Sequence, residues 1–196
     1  MSRGVKIVIA SGAAILLVVI GGVLVAPQQR VPREFSESRI RGAALASDIA
    51  NAASESIGAL LRIREHDERK EIKQALLVIS DELVRNKESQ GYAIRLASEL
   101  ERMARLITWI RPERARVMAT EAVSAEVALV SRLVSYNQHL RELFDLLQRK
   151  ISEPQVSDNG KVAELIAAIN EEARAINAFN DRFNRSLAEF DKLFVN

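Results

Sequence analysis

Residues 38–196 contain only six helix breakers: Gly42, Gly58, Gly91, Pro112, Pro154 and Gly160. No stretch in this region shows strand alternation bounded by turn residues. Apolar residues recur instead at three- and four-residue steps, which predicts long amphipathic helices and an all-α fold. With eight glycines and four prolines in the whole chain, collagen, low-complexity disorder and a turn-rich β-sandwich are excluded.

The clearest helix is the last. From Val162, Ile169, Ile176, Phe183 and Phe190 follow at seven-residue intervals, and Leu165, Phe179 and Leu193 supply the second seam position. Ile166, Leu187 and Phe194 widen this heptad face. Phe183, mid-seam, is expected to be buried. Ser157-Asp158-Asn159-Gly160 reads as the loop and start signal before it. The preceding helix is predicted from about Pro112 to Ser152. Val123, Val127, Val130, Val134, Leu140, Leu143, Leu147 and Ile151 form its apolar side.

Ile72, Leu76, Ile79 and Leu83 run in phase with Ala93, Leu100 and Ile107. Asn86 and Gln90 form polar layers in that seam, and the helix is predicted to continue through Gly91. The first helix has a seam of small residues, read as Ile40, Ala43, Ser47, Ala50, Ser54, Ile57 and Leu61. Residues 62–71, RIREHDERKE, hold a single apolar side chain, Ile63. A turn near His66-Asp67 gives an antiparallel four-helix bundle, the favoured architecture. Without that turn, residues 38–110 form one helix of about 110 Å, a stalk leading to a three-helix bundle.

The N-terminus is a different material. Residues 7–26, IVIASGAAILLVVIGGVLVA, contain no charge. Twenty residues at about 1.5 Å each span roughly 30 Å, the thickness of a bilayer core. Arg3 and Lys6 precede the run and Pro27 ends it. A cleaved signal peptide has a shorter apolar region and a small-x-small cleavage site, which Leu24-Val25-Ala26 fits poorly. The expected organisation is therefore a single-pass membrane anchor over 1–26, a linker over 27–37 and a helical-bundle domain over 38–196. The positive-inside rule leans toward a cytoplasmic body, with Arg30, Arg33, Arg39 and Arg41 on the C-terminal side. A short basic tail before an apolar run is also how an exported signal anchor begins, and an extracytoplasmic body is slightly preferred.

Arg3 and Lys6 take two of the 28 basic residues, leaving 26 against 26 acidic ones beyond the apolar run. A body without net charge lacks the basic stripe that nucleic-acid binding wants. Cysteine is absent and histidine occurs twice, so thiolate chemistry is excluded and no cofactor or metal is expected. Glu65-His66-Asp67-Glu68 reads as a solvated charged turn. The di-iron bundle pattern needs Glu three residues before each His, where this chain has Ile63 and Tyr136. No phosphate loop, serine elbow or zinc-helix motif occurs, and no catalytic residue is assigned.

Two surfaces remain as contact candidates. Arg102, Arg105, Arg111, Arg114 and Arg116 surround the sole tryptophan, Trp109. This corner is expected to meet lipid headgroups or an acidic partner, or else to close a helix end. Asn170, Asn177 and Asn184 repeat every seven residues beside the last seam, as a boundary stripe or as an edge for a partner helix. The expected function is a membrane-anchored scaffold, tether or complex subunit working through helix faces. Its partners are the bilayer, other membrane-associated proteins and a second copy of itself, with no nucleic acid. The alternative is a sensory or small-ligand-binding bundle that signals through a partner.

Overall fold

Phe35, Ile49 and Ile63 lie fourteen residues apart, and together they fix the face that the first helix buries. That helix, α1 (Arg33–Glu68), is followed by α2 (Ile72–Leu106), α3 (Glu113–Ser152) and α4 (Asn159–Lys192). The computed structural model describes residues 31–153 and 159–194. The 7–26 run lies outside them, and among the described residues no helix is long and apolar enough to cross a membrane.

α1 begins before the expected linker ends. Pro32 stands at its N-cap and Glu34 in its first turn, where a carboxylate suits the helix dipole. Starting at Arg33 brings Phe35 into the core, 1% exposed. The helix runs through the charged stretch to Glu68 and then turns. Lys70 takes a left-handed backbone, φ 61°. Its N–H donates to the Asp67 carbonyl at 3.0 Å, and the Glu71 N–H donates to the His66 carbonyl at 2.8 Å. This is the Schellman closure, with lysine in the place glycine usually holds.

The turn makes α1 and α2 antiparallel partners. Ser56 meets Glu82 and Arg41 meets Glu99, so sequence rises on one helix as it falls on the other. A 3-10 turn, Ile107–Trp109, leads to the second corner, where Ile110 is fully buried. α2 then pairs with α3 through Asn86 and Asn137, and α3 with α4 through Arg132 and Glu172. The four-helix bundle, not the stalk, is the observed arrangement. At one end α1 also reaches α4: Phe35 packs on Phe190 with ring centroids 5.9 Å apart, and Phe190 on Phe194 at 4.9 Å. Beside them Arg39 donates twice to Asp191, both bonds 2.7 Å.

Three seams differ from the sequence reading. On α1 the buried line is Phe35, Ser38, Gly42, Ala46, Ile49, Ala53 and Ser56, one residue away from the expected one. Ile40 is left 64% exposed. Two lines of small residues run side by side there, and the one carrying Phe35, Ile49 and Ile63 buries more apolar area. On α3 Val127 and Val134 face outward, because Ala122, Ala125, Leu129 and Leu133 fill the interior instead. On α4 Phe183 is only half-buried, while Ile169, Ile176, Leu187 and Phe190 carry the seam. The polar layer expected at Asn86 is present and buried, and α2 passes through Gly91 without interruption.

Candidate functional site

The arginine corner sits where α2 ends and α3 begins. Arg102 donates to Glu99 at 3.2 Å, Arg105 pairs with Glu101 and Arg116 with Glu113. Arg111 donates to the carbonyls of Thr108 and Ile110 at 3.0 and 3.1 Å. It thereby satisfies backbone acceptors in the 3-10 turn and in the corner that follows it. Arg114 is exposed, and its charge lies close enough to Glu189 on α4 to help hold that carboxyl below the usual range, after the larger effect of the Lys192 hydrogen bond. Trp109 projects from the middle of this group, 71% exposed. A tryptophan so poorly covered is unusual, since its indole normally buries most of its area.

The fold brings the start of α1 to the same end. A cleft of about 330 Å³ is lined by Glu34, Glu37, Ser38 and Arg41 from α1 and by Arg102, Arg105 and Leu106 from α2. Within it Arg41 donates to Glu99 at 3.0 Å and also to Ser38 Oγ. The Arg41 guanidinium, hydrogen-bonded to it, holds the Glu99 carboxyl below the usual carboxylate range. The C-terminus of α4 reaches the same end through Asp191. The sequence-predicted arginines thus share one pole of the bundle with the point where the chain arrives from its N-terminal segment.

The asparagine stripe lies elsewhere. Asn170, Asn177 and Asn184 are all half-buried on α4, and Asn180 beside them is buried. The Asn184 Oδ1 is enclosed without a hydrogen-bond partner among the described residues. This is the boundary position between core and surface.

Besides the expected Asn86, several polar residues that the sequence reading passed over are inside. Ser56 donates to Glu82 at 2.9 Å, and Arg85 binds both Glu82 and Glu55. Asn86 Nδ2 donates to the Asn137 carbonyl at 2.9 Å, while Asn137 Nδ2 donates to Ser89 at 3.2 Å. Glu126 is 4% exposed, and its Oε2 has no hydrogen-bond partner among the described residues. Burial pushes its carboxyl up to about 7. Their signal was positional: Glu82 and Ser89 stand seven residues apart in the phase of Ala75, Leu96 and Met103. His66 lies 2.7 Å from Glu71 at the other pole, and His139 is half-buried on α3. Among the described residues no group of three or more His, Asp or Glu side chains is placed to hold a metal ion.

A search against protein-family models, curated proteins and solved structures found no match to this chain.

Proposed function

We propose that this protein is a membrane-anchored helical scaffold, tether or complex subunit whose arginine and tryptophan pole faces the bilayer or the membrane-proximal part of a partner. The observation that carries the reading is the shared pole. The uncharged run at 7–26 has the length of a bilayer span, and α1 begins at Arg33, seven residues after it. Trp109 and Arg102, Arg105, Arg111, Arg114 and Arg116 stand at that same end of the bundle. An indole at an interface keeps its ring in the acyl boundary and its N–H wet. Arginines near an anionic leaflet contribute about 1 kcal/mol each. The body is slightly preferred on the extracytoplasmic side.

The sole tryptophan makes the test direct. Full-length protein is inserted into vesicles containing lipids brominated near the headgroup, and Trp109 fluorescence is recorded. Strong quenching is expected. Unquenched fluorescence in inserted protein removes the lipid contact, and a pull-down in mild detergent then asks whether a partner covers the corner. A second reading, a ligand-binding bundle that signals through a partner, draws on Glu126, whose enclosed Oε2 would accept a donor from a bound molecule.

A further inference from the structure

The outward face of α3 carries a seam of its own. Val117, Thr120, Ser124, Val127, Ser131 and Val134 recur at alternating three- and four-residue steps, and every one is exposed. The three valines are 43%, 53% and 50% exposed. None of the six is charged, in a chain where 28% of residues are. The outward side of α4 carries Glu164, Glu171, Arg174, Asp181 and Arg185 over a similar length. The bundle core takes the opposite side of α3 through Ala122, Leu129 and Tyr136, so this second seam is additional to the fold. Its spacing is that of the a and d positions of a two-stranded coiled coil.

We infer that this face pairs with the same face of a second copy of the chain, the two α3 helices lying side by side and parallel. The flanking charges select that occupant. With Val117 taken as position a, Arg116 is the preceding g and Glu121 the following e. In a parallel pair, a g residue faces the e residue five positions later on the other helix. Arg116 of each copy therefore meets Glu121 of the other, and the two-fold axis produces the contact twice. Arg116 keeps its own Glu113 within reach and bridges both carboxylates. An antiparallel pair sets e against e and g against g, and both contacts are lost. α1 also has an uncharged outward line, from Ile40 through Ser47 and Ser54 to Leu61. There the e positions are Arg41, Asp48, Glu55 and Arg62 while the g positions are Ala43, Ala50 and Ile57, so a parallel self-pair finds no such partners. The α3 pair also leaves the start of α1 at the same end in both copies. The inference makes specific the second copy expected from the sequence, and it rests on the α3 face rather than on the anchor.

The absence of cysteine makes single-cysteine variants of the full chain clean probes. Val127→Cys, in mild detergent under copper phenanthroline, is expected to form a disulfide-linked dimer about tenfold faster than Ala178→Cys on the exposed side of α4. Adding Glu121→Arg slows the reaction by setting arginine against arginine, and adding Arg116→Glu to that chain restores it. Equal rates at 127 and 178 overturn the pairing. So does cross-linking of Val127→Cys only when mixed with Ser47→Cys, which assigns the face to α1 of a neighbour. Cross-linking of Val117→Cys only with Val134→Cys shows an antiparallel pair and overturns it too. A monomeric Val127→Cys protein whose thiol resists maleimide gives the face to the chain's own N-terminal segment. Quenching of Trp109 in the brominated-lipid vesicles reads the lipid contact of the corner separately, so failure of one reading leaves the other standing.

Discussion

The α1–α2 hairpin and the α3–α4 hairpin are of similar length and are held together by different means. Between α1 and α2 the buried line mixes small and polar residues with a few large ones. Ser38, Gly42, Ala46, Ala53 and Ser56 stand among Phe35, Ile49 and Ile63 on α1, and Ser56 and Arg41 bond the buried carboxylates Glu82 and Glu99 of α2. Each buried carboxylate on α2 has a cation from its surroundings, Arg85 for Glu82 and Arg41 with Arg102 for Glu99. A Cβ on Gly42 would already touch the Leu96 Cδ1 at 3.4 Å, which marks how closely the Leu96 side chain packs over Gly42. On α3 and α4 the filling is mostly large and apolar, with Leu129, Leu133, Leu140, Leu143, Phe144 and Leu147 on one and Val162, Leu165, Ile169 and Ile176 on the other, beside the buried Glu126, Glu172 and Asn180. The first hairpin gains specificity of register from paired polar groups. The second gains most of its stability from buried area.

The difference is broken most directly at Phe144, which is fully buried. Phe144→Ala is expected to lower stability by about 3–5 kcal/mol, the cost of a lost core ring and the cavity it leaves. Phe183→Ala should cost far less, because that ring is only half-buried. Chemical denaturation of both variants measures the gap, and equal losses would mean that the apolar seam is not where α3 and α4 gain their stability.

Glu126 and Glu82 sharpen the comparison, since the same substitution should act in opposite directions. Glu126 in the folded chain titrates near 7 because burial disfavours its charge, against 4.5 for an ordinary carboxyl. The folded state therefore holds its proton more tightly than the unfolded state. Stability from this group is fully present below about 4.5 and is lost as pH rises through about 7. At pH about 8 the penalty is about 3 kcal/mol, from roughly 1.4 kcal/mol per unit. Glu126→Gln cannot ionise, so it should be more stable than wild type by up to that amount at pH about 8, with the advantage gone by pH about 4. Glu82→Gln removes the charge that Arg85 binds and should destabilise by about 1–3 kcal/mol at neutral pH. Melting curves across this pH range decide both, and a Glu126→Gln advantage that does not depend on pH would point to packing instead.

Large residues at long intervals were legible and small ones were not. The heptads of α4 apart from Phe183, the start of α3 at Pro112 and the passage of α2 through Gly91 all follow from apolar spacing or from a strong breaker. The α1 face was read one residue out because alanine and serine occupy both neighbouring lines and each also carries isoleucines, Ile49 and Ile63 on one and Ile40 and Ile57 on the other, while Phe35, which separates them by volume, stood in the expected linker. Val127 and Val134 looked like core because valine is apolar, yet the alanines beside them allow α3 to sit closer to its neighbours. Among site residues, the arginine corner was visible as composition. Its meeting with the start of α1 required the fold. Glu82, Glu99 and Glu126 were passed over because a carboxylate in a seam contradicts the pattern used to find the seam, and only their partners, or the lack of one, explain them.

The turn joining α1 to α2 was the hardest feature to read, and it leads to the smallest predicted effect. RIREHDERKE contains neither glycine nor proline, so no residue in it marks a stop. The structure nevertheless places Lys70 at φ 61° in the closing position of α1. A left-handed backbone costs a residue with a Cβ about 1–2 kcal/mol. Glycine escapes that cost but loses about 0.5–1 kcal/mol more to backbone entropy on folding. Lys70→Gly should therefore stabilise the protein by about 0.5–1 kcal/mol. Lys70→Val should destabilise it, since a β-branched side chain fits this conformation worst. The hydrogen bonds from Lys70 and Glu71 to Asp67 and His66 are made by the backbone and survive both changes. If Lys70→Gly instead loses stability, the lysine side chain itself holds the turn. If Lys70→Val melts with wild type, α1 and α2 are fixed by the Ser56–Glu82 and Arg41–Glu99 contacts alone, and the turn only follows them.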